Sequence, residues 1–393
     1  MKVTSSLNSL NIKTILIGIF AIWLCYIGYI AIQPQHMSDF DAYYYGTKAA
    51  VQGLNPYSAA SIAFLKGDDI LFHHFSYPVY MLAAFWPFTL FSVDVARGLF
   101  LALKLVATFS LFCLWMKSFT FKNKSDPWML LILALGAFHG TVQTDILAAN
   151  ISIFEQLCLW TGFSFFIRGN LKLGMIGIVF AGLCKGPLIL FLGVFLFKMD
   201  MKNFHAFLSG VALFISVQLA TFFCFPGLSL KFMENPQVID STGFTNPSLL
   251  VWITFDAAPY LNRIFDLAIN PTNLYKMVVF GLISFFGIIY LCLMKDQEKR
   301  YKIAFLALIY GLVLPRMKDY SFVLQIMPAL FVMERLKTTA RWVVLVLLSV
   351  SLWPYYHLFT QLMLVLMLIG VSAYSDGKFY PFLLKKKKGT KTI

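Results

Sequence analysis

Runs of about twenty apolar residues recur along this chain and constrain it more than any other feature. The clearest are Thr14–Ile32, Arg97–Met116, Ile151–Ile167, Phe204–Phe225, Tyr275–Met294 and Tyr355–Tyr374. A helix needs roughly 20 such residues to cross a bilayer, and in lipid every backbone N–H and C=O must be paired within the chain. The runs do not alternate, so they are not the strands of an outer-membrane barrel. Shorter apolar segments lie between them: Tyr77–Phe91, Trp128–Val142, Leu173–Cys184, Pro187–Phe197, Ile303–Leu314, Tyr320–Met333 and Trp342–Trp353. Only 13% of residues are charged, against about 25% in a soluble domain. The expected fold is all-α, a polytopic membrane protein of about twelve transmembrane helices. No internal repeat or low-complexity linker divides it, so one domain over residues 1–393 is expected. Thr14–Ile32 is too long for a signal peptide's apolar region and reads as a retained first helix.

The net charge of +14 would suggest nucleic acid in a soluble protein. Here the cations sit at helix ends and in short loops: Lys2 and Lys13; Lys117, Lys122 and Lys124; Arg168 and Lys172; Lys198 and Lys202; Lys295, Lys299, Arg300 and Lys302; Arg335, Lys337 and Arg341; and Lys385 to Lys388. The positive-inside rule makes these cytoplasmic, with both termini inside. Two conditions follow. Tyr77–Phe91 must dip without crossing or share a crossing with its successor, and Leu173–Phe197 must break at Lys185-Gly186-Pro187, where proline removes a helix hydrogen bond. Four polar stretches then face outward: loops of about 33–76 and 226–274, the stretch 139–150, and the turn Pro315–Asp319, with a basic cytoplasmic tail of about 376–393. Arg316 and Lys318 lie outside against the rule, which points to an anionic partner. The six cysteines lie in or beside apolar runs without metal-ligand spacing, so neither a zinc site nor a loop disulfide is expected.

The first outer loop carries the residues most suited to chemistry. It reads Ser38-Asp39-Phe40-Asp41-Ala42-Tyr43-Tyr44, then Gly53-Leu54-Asn55-Pro56-Tyr57, then Phe75-Ser76-Tyr77-Pro78 ahead of Trp86-Pro87-Phe88. A carboxylate just beyond a first helix serves as a general base or ligand, or simply as a helix cap. This order of features resembles the GT-C superfamily of polyprenyl-phosphate-sugar-dependent glycosyltransferases, and most of all glycosyltransferase family 87, which includes bacterial mannosyltransferases. Gly140-Thr141-Val142-Gln143 with Asn150, Ala181-Gly182-Leu183-Cys184-Lys185-Gly186-Pro187, Asn246-Pro247-Ser248 and Leu314-Pro315-Arg316-Met317-Lys318-Asp319-Tyr320 extend the likeness over about residues 15–335. The chain departs from the family in lacking a second proline after Tyr77-Pro78, in separating Gly140 from Gln143, and in having Asp319-Tyr320 where a His-containing turn is usual.

The resemblance implies a membrane glycosyltransferase that moves a hexose or pentose from a polyprenyl-phosphate donor to a lipid-linked or glycan acceptor. The reaction would occur on the extracytoplasmic face of the inner (plasma) membrane; no cofactor is indicated, and a divalent metal remains open. Asp39 matches the family's first-loop catalytic aspartate. Lys185, Arg316 and Lys318 are candidates for the donor phosphate, with snorkelling or interfacial anchoring as the structural alternative. Asp41, Tyr43, Tyr44, Asn55, Tyr57, His74, Tyr77, His139, Gln143, Asp145, Asn150, Asn246 and Asp319 are substrate-site candidates; for His139 and Asp145 a capping role competes. Two other functions remain open, a lipid-linked glycan polymerase or ligase and a flippase or transporter, although a transporter should show paired repeats.

Overall fold

The structure is a computed structural model. It describes residues 3–33, 36–67, 75–119, 121, 123, 125–198, 200–234, 248–266, 268–350 and 356–375. His74, Asn246 and the basic tail lie outside them. Helices in chain order are α1 (Val3–Ala31), α2 (Ser38–Val51), α3 (Ala59–Lys66), α4 (Val79–Phe85), α5 (Val93–Ser118), α6 (Asp126–Ala148), α7 (Ser152–Ile167), α8 (Leu171–Cys184), α9 (Met201–Cys224), α10 (Pro226–Glu234), α11 (Leu249–Trp252), α12 (Ala258–Phe265), α13 (Pro271–Ile289), α14 (Lys299–Val313), α15 (Ile326–Met333), α16 (Thr338–Ser349) and α17 (Tyr356–Ser375). No strand occurs among the described residues. Among the described residues, five helical stretches are long and apolar enough to cross a membrane: Ile12–Ala31, Val93–Ser118, Asp126–Ala148, Met201–Cys224 and Pro271–Met294. Seven shorter apolar helices accompany them, among them Val79–Leu90. That segment is a seven-residue α-helix continued by five 3₁₀ residues, about 20 Å in all against a hydrocarbon core of about 30 Å.

The chain packs as two compact units, Met1–Phe119 with Val142–Asp240 and Thr120–Thr141 with Ser241–Ile393. Each is discontinuous in sequence. α6 runs through the junction and is interrupted there: Ala137 is extended and Phe138, His139 and Gly140 are left-handed.

In the first unit, the expected outer loop 33–76 holds two helices. Asp39 and Asp41 occupy the first turn of α2, where the helix dipole favours anions. Gly53 (φ 75°) and Gly67 (φ 72°) follow α2 and α3 in the left-handed conformation that glycine adopts most readily. α7 and α8 form a tight antiparallel hairpin. Gly169 (φ 86°) stops the first helix, and the Asn170 side chain caps the second by accepting from Leu173 N at 3.1 Å. The two helices meet backbone to backbone at glycines; a Cβ on Gly177 would lie 2.7 Å from the Gly162 Cα. Small residues permit such approach between membrane helices, where packing drives association.

The expected break after α8 is present. Lys185 is extended (φ −144°, ψ 103°) and a 3₁₀ helix follows over Gly186–Phe197. Pro187 has no N–H to offer the Leu183 carbonyl four residues back. The Tyr80 hydroxyl supplies that bond at 2.7 Å, and Gln218 Nε2 donates to Tyr80 Oη at 3.2 Å. The large apolar side chains Leu208, Leu213, Ile215, Leu219 and Phe223 of α9 are exposed, as expected of a lipid-facing helix.

In the second unit, every side chain of α15 is buried. Arg341, one of the cations expected on the cytoplasmic side, is buried: Nη1 donates to Asp126 Oδ1 at 2.9 Å, and Nε and Nη2 donate to the carbonyls of Leu336 and Glu334. A charge buried at a helix end survives only with its hydrogen bonds satisfied. Of the stretch 226–274, α10 lies in the first unit, and α11, α12 and the start of α13 lie in the second.

Candidate functional site

The first unit gathers most of the candidate residues around the start of α2. Met37 precedes that helix with φ 67°, and its N–H donates to the Leu147 carbonyl at 2.7 Å. Ala149, with φ 54°, precedes Asn150. Neither is glycine, and left-handed backbone at such residues is uncommon and costs energy. The two strained residues bracket one contact: Asn150 Nδ2 donates to Asp39 Oδ2 at 2.7 Å.

Asn150 is held from several directions. Its Oδ1 accepts from Ser152 N at 3.0 Å and Ser152 Oγ at 2.9 Å at the start of α7. That fixes which end of the amide is the donor, and the donor end reaches Asp39 and Tyr43 Oη, the latter at 3.1 Å. Lys104 Nζ donates to the Asn150 backbone carbonyl. Tyr43 and Tyr77 share a hydroxyl–hydroxyl bond of 3.2 Å. Burial pushes the Tyr77 phenol well above its ordinary value; the bond from Tyr43 opposes this, and the charges of Asp39 and Glu155 add to it. Tyr77 therefore carries its proton at neutral pH. The other first-loop motif supports this cluster: Asn55 Oδ1 accepts from Tyr57 N at 3.1 Å, and Tyr57 Oη donates to the Tyr77 carbonyl at 3.2 Å. Tyr44 donates to the Phe91 carbonyl at 2.8 Å.

The two aspartates of the first loop differ. Asp41 is gripped by Arg97, whose Nε and Nη2 reach Oδ1 at 2.9 and 2.7 Å and whose Nη2 reaches Oδ2 at 2.8 Å, with Lys66 Nζ 3.4 Å away. A carboxylate in a bidentate guanidinium fork is committed to its partner. Asp39 is half-buried and is met by a neutral amide instead.

Behind Asn150, Asp145 is fully buried and pairs with the equally buried Lys104 at 2.6 Å. Lys185 is 28% exposed and lies 3.6 Å from the buried Glu155. Gln143 is half-exposed. His139, Arg316, Lys318 and Asp319 belong to the second unit. There Thr141 Oγ1 donates to the Asp319 carbonyl at 2.6 Å and Ser248 Oγ to the Pro315 carbonyl at 2.7 Å.

Sequence reading missed Lys104, Glu155 and Arg97 as members of this arrangement. Their signal was available: Lys104 and Glu155 are isolated charges inside apolar runs, which mark function or pairing at membrane depth.

The family model for glycosyltransferase family 87 matches residues 75–317, more than half of the chain. The matched span begins after Asp39 and contains Tyr77, Lys104, Asp145, Asn150, Glu155 and Lys185. No curated protein and no solved structure matches the chain.

Proposed function

Because the chain belongs to glycosyltransferase family 87, it is a membrane glycosyltransferase, and we propose that it moves a hexose or pentose from a polyprenyl-phosphate donor to a lipid-linked or glycan acceptor at the extracytoplasmic face. The observation that carries this reading is the Asp39–Asn150 hydrogen bond held between two left-handed non-glycine residues. Backbone strain persists only where the surroundings over-determine it, and it clusters at functional sites.

The step is a single displacement. Asp39 takes the proton of an acceptor hydroxyl as its oxygen bonds to the anomeric carbon. The bond from that carbon to the phosphate oxygen breaks, and the phosphate leaves with the electron pair. One displacement inverts the anomeric configuration. Lys185 offsets the charge on the departing phosphate; its partial exposure beside a helix break supports that role. Asn150, itself bonded to Tyr43, holds the base in orientation, and Arg97 keeps Asp41 out of the chemistry.

Sidedness is supported by Lys13, whose ammonium donates to the Met116 carbonyl at 3.1 Å. The start of α1 and the basic end of α5 thus share one end of the first unit. The positive-inside rule makes that end cytoplasmic, and Asp39, which follows the other end of α1, extracytoplasmic. The test is transfer by purified protein from a panel of radiolabelled polyprenyl-phosphate sugars, with membrane lipid extract as acceptor. Label entering product from one donor supports the reading. Transfer from a sugar nucleotide alone overturns it.

A further inference from the structure

Lys104 stands near the middle of α5 with no exposed surface, eleven residues beyond Val93 and so about 17 Å along the helix. Its ammonium has two destinations, the Asp145 carboxylate at 2.6 Å and the Asn150 carbonyl. Asp145 is also fully buried. A charge at membrane depth is costly and is kept where it acts or is paired. Replacing a buried pair with apolar side chains is often harmless to stability, so the pair is weakly explained by stability alone.

Its geometry supplies a better reason. Asn150 follows a left-handed residue, Ala149, and its amide must face Asp39 while its carbonyl faces into the unit. That inward carbonyl is where Lys104 is bound. Asp145 in turn lies about one helical turn before Ala149, and Asn150 N donates to the Asp145 carbonyl at 3.3 Å. Both members of the ion pair therefore anchor the same backbone turn, one through its side chain and one through its main chain.

We infer that Lys104 is a positioning residue for the transfer reaction: paired with Asp145, it locks the Ala149–Ser152 turn so that the Asn150 amide holds the Asp39 carboxylate in place. This inference rests on Asp39 being the base. Lys104 touches neither substrate nor reacting atoms and acts through Asn150.

The single variant Lys104→Met strands a buried carboxylate and is expected to fold poorly. The deciding protein is therefore Lys104→Met/Asp145→Leu, which removes both charges at similar volume. It is compared with wild type and Asp39→Asn in three measurements: thermal melting in detergent, transfer from radiolabelled polyprenyl-phosphate sugar, and hydrogen exchange at the Ser152 amide, which donates to Asn150 Oδ1. The expected result is an unchanged melting point, kcat lower by about tenfold or more with KM for the donor within about threefold, and Ser152 exchange faster by about tenfold or more. Adding Asn150→Ala to the double variant should lower kcat no further than Asn150→Ala alone, because the two act in series. Wild-type kcat and unchanged Ser152 protection in the double variant would overturn the inference. If Asp39→Asn retained full activity, the base assignment would fall instead. The exchange measurement reads the Lys104 effect on the turn without reference to the chemistry, so the two failures are distinct.

Discussion

Asp39 and Asp41 are two residues apart on one helix turn and have different fates, because Arg97 reaches only one of them. The same logic applies to the tyrosines. Tyr77 and Tyr57 are held protonated by burial, with values raised above the ordinary 10.0. The sign follows from linkage. Below pH 10 both folded and unfolded phenols keep their protons, and the stabilisation is complete; above it the unfolded chain releases protons first, and stability falls. Melting followed from about pH 8 to about pH 11 should show that loss, and Tyr77→Phe should make it shallower. Lys185→Ala should raise KM for the donor about tenfold, the order expected from losing one charge-assisted hydrogen bond; an unchanged KM would remove Lys185 from the phosphate site. The sequence singled out Asp39, Asn150 and Lys185, and only the family resemblance, not the local residue pattern, separated Asp39 from Asp41. Their difference depends on a guanidinium that comes from 56 positions along the chain, and local pattern does not carry such pairing.

At the scale of elements, the break at Lys185-Gly186-Pro187 was legible because proline has a local consequence. Its repair by Tyr80 was not, since the hydroxyl comes from a distant helix. Tyr80→Phe leaves the Leu183 carbonyl unpaired in an apolar setting and should cost about 1–3 kcal/mol, read as a lower melting point in detergent. Gly177→Ala places a methyl against Gly162 backbone and should cost about the same by overpacking. Because Glu155 and Lys185 lie on this hairpin and at its exit, that variant should also lower transfer. Helices within the 33–76 stretch were hidden by polar composition. Their stops, Gly53 and Gly67, take left-handed backbone that glycine adopts most readily.

At the scale of the whole molecule, apolar periodicity and length disclosed the all-helical class, since lipid leaves the backbone few alternatives. Charge asymmetry gave an orientation, and a reporter fused at residue 60 should therefore be active only when exported. The division into two units was not legible, because each is assembled from segments far apart in sequence. The site proposed for chemistry lies within the first of them, in contacts among α2, α5, α6 and α7. The most direct test of the account is single-turnover sugar transfer by Asp39→Asn, with Asp41→Asn alongside. Asp39→Asn keeps the side-chain size and removes the basic oxygen, so transfer should fall about 10²–10⁴-fold while folding and donor binding persist. Asp41→Asn should keep most of the rate and lose stability instead. A wild-type rate from Asp39→Asn would contradict the account.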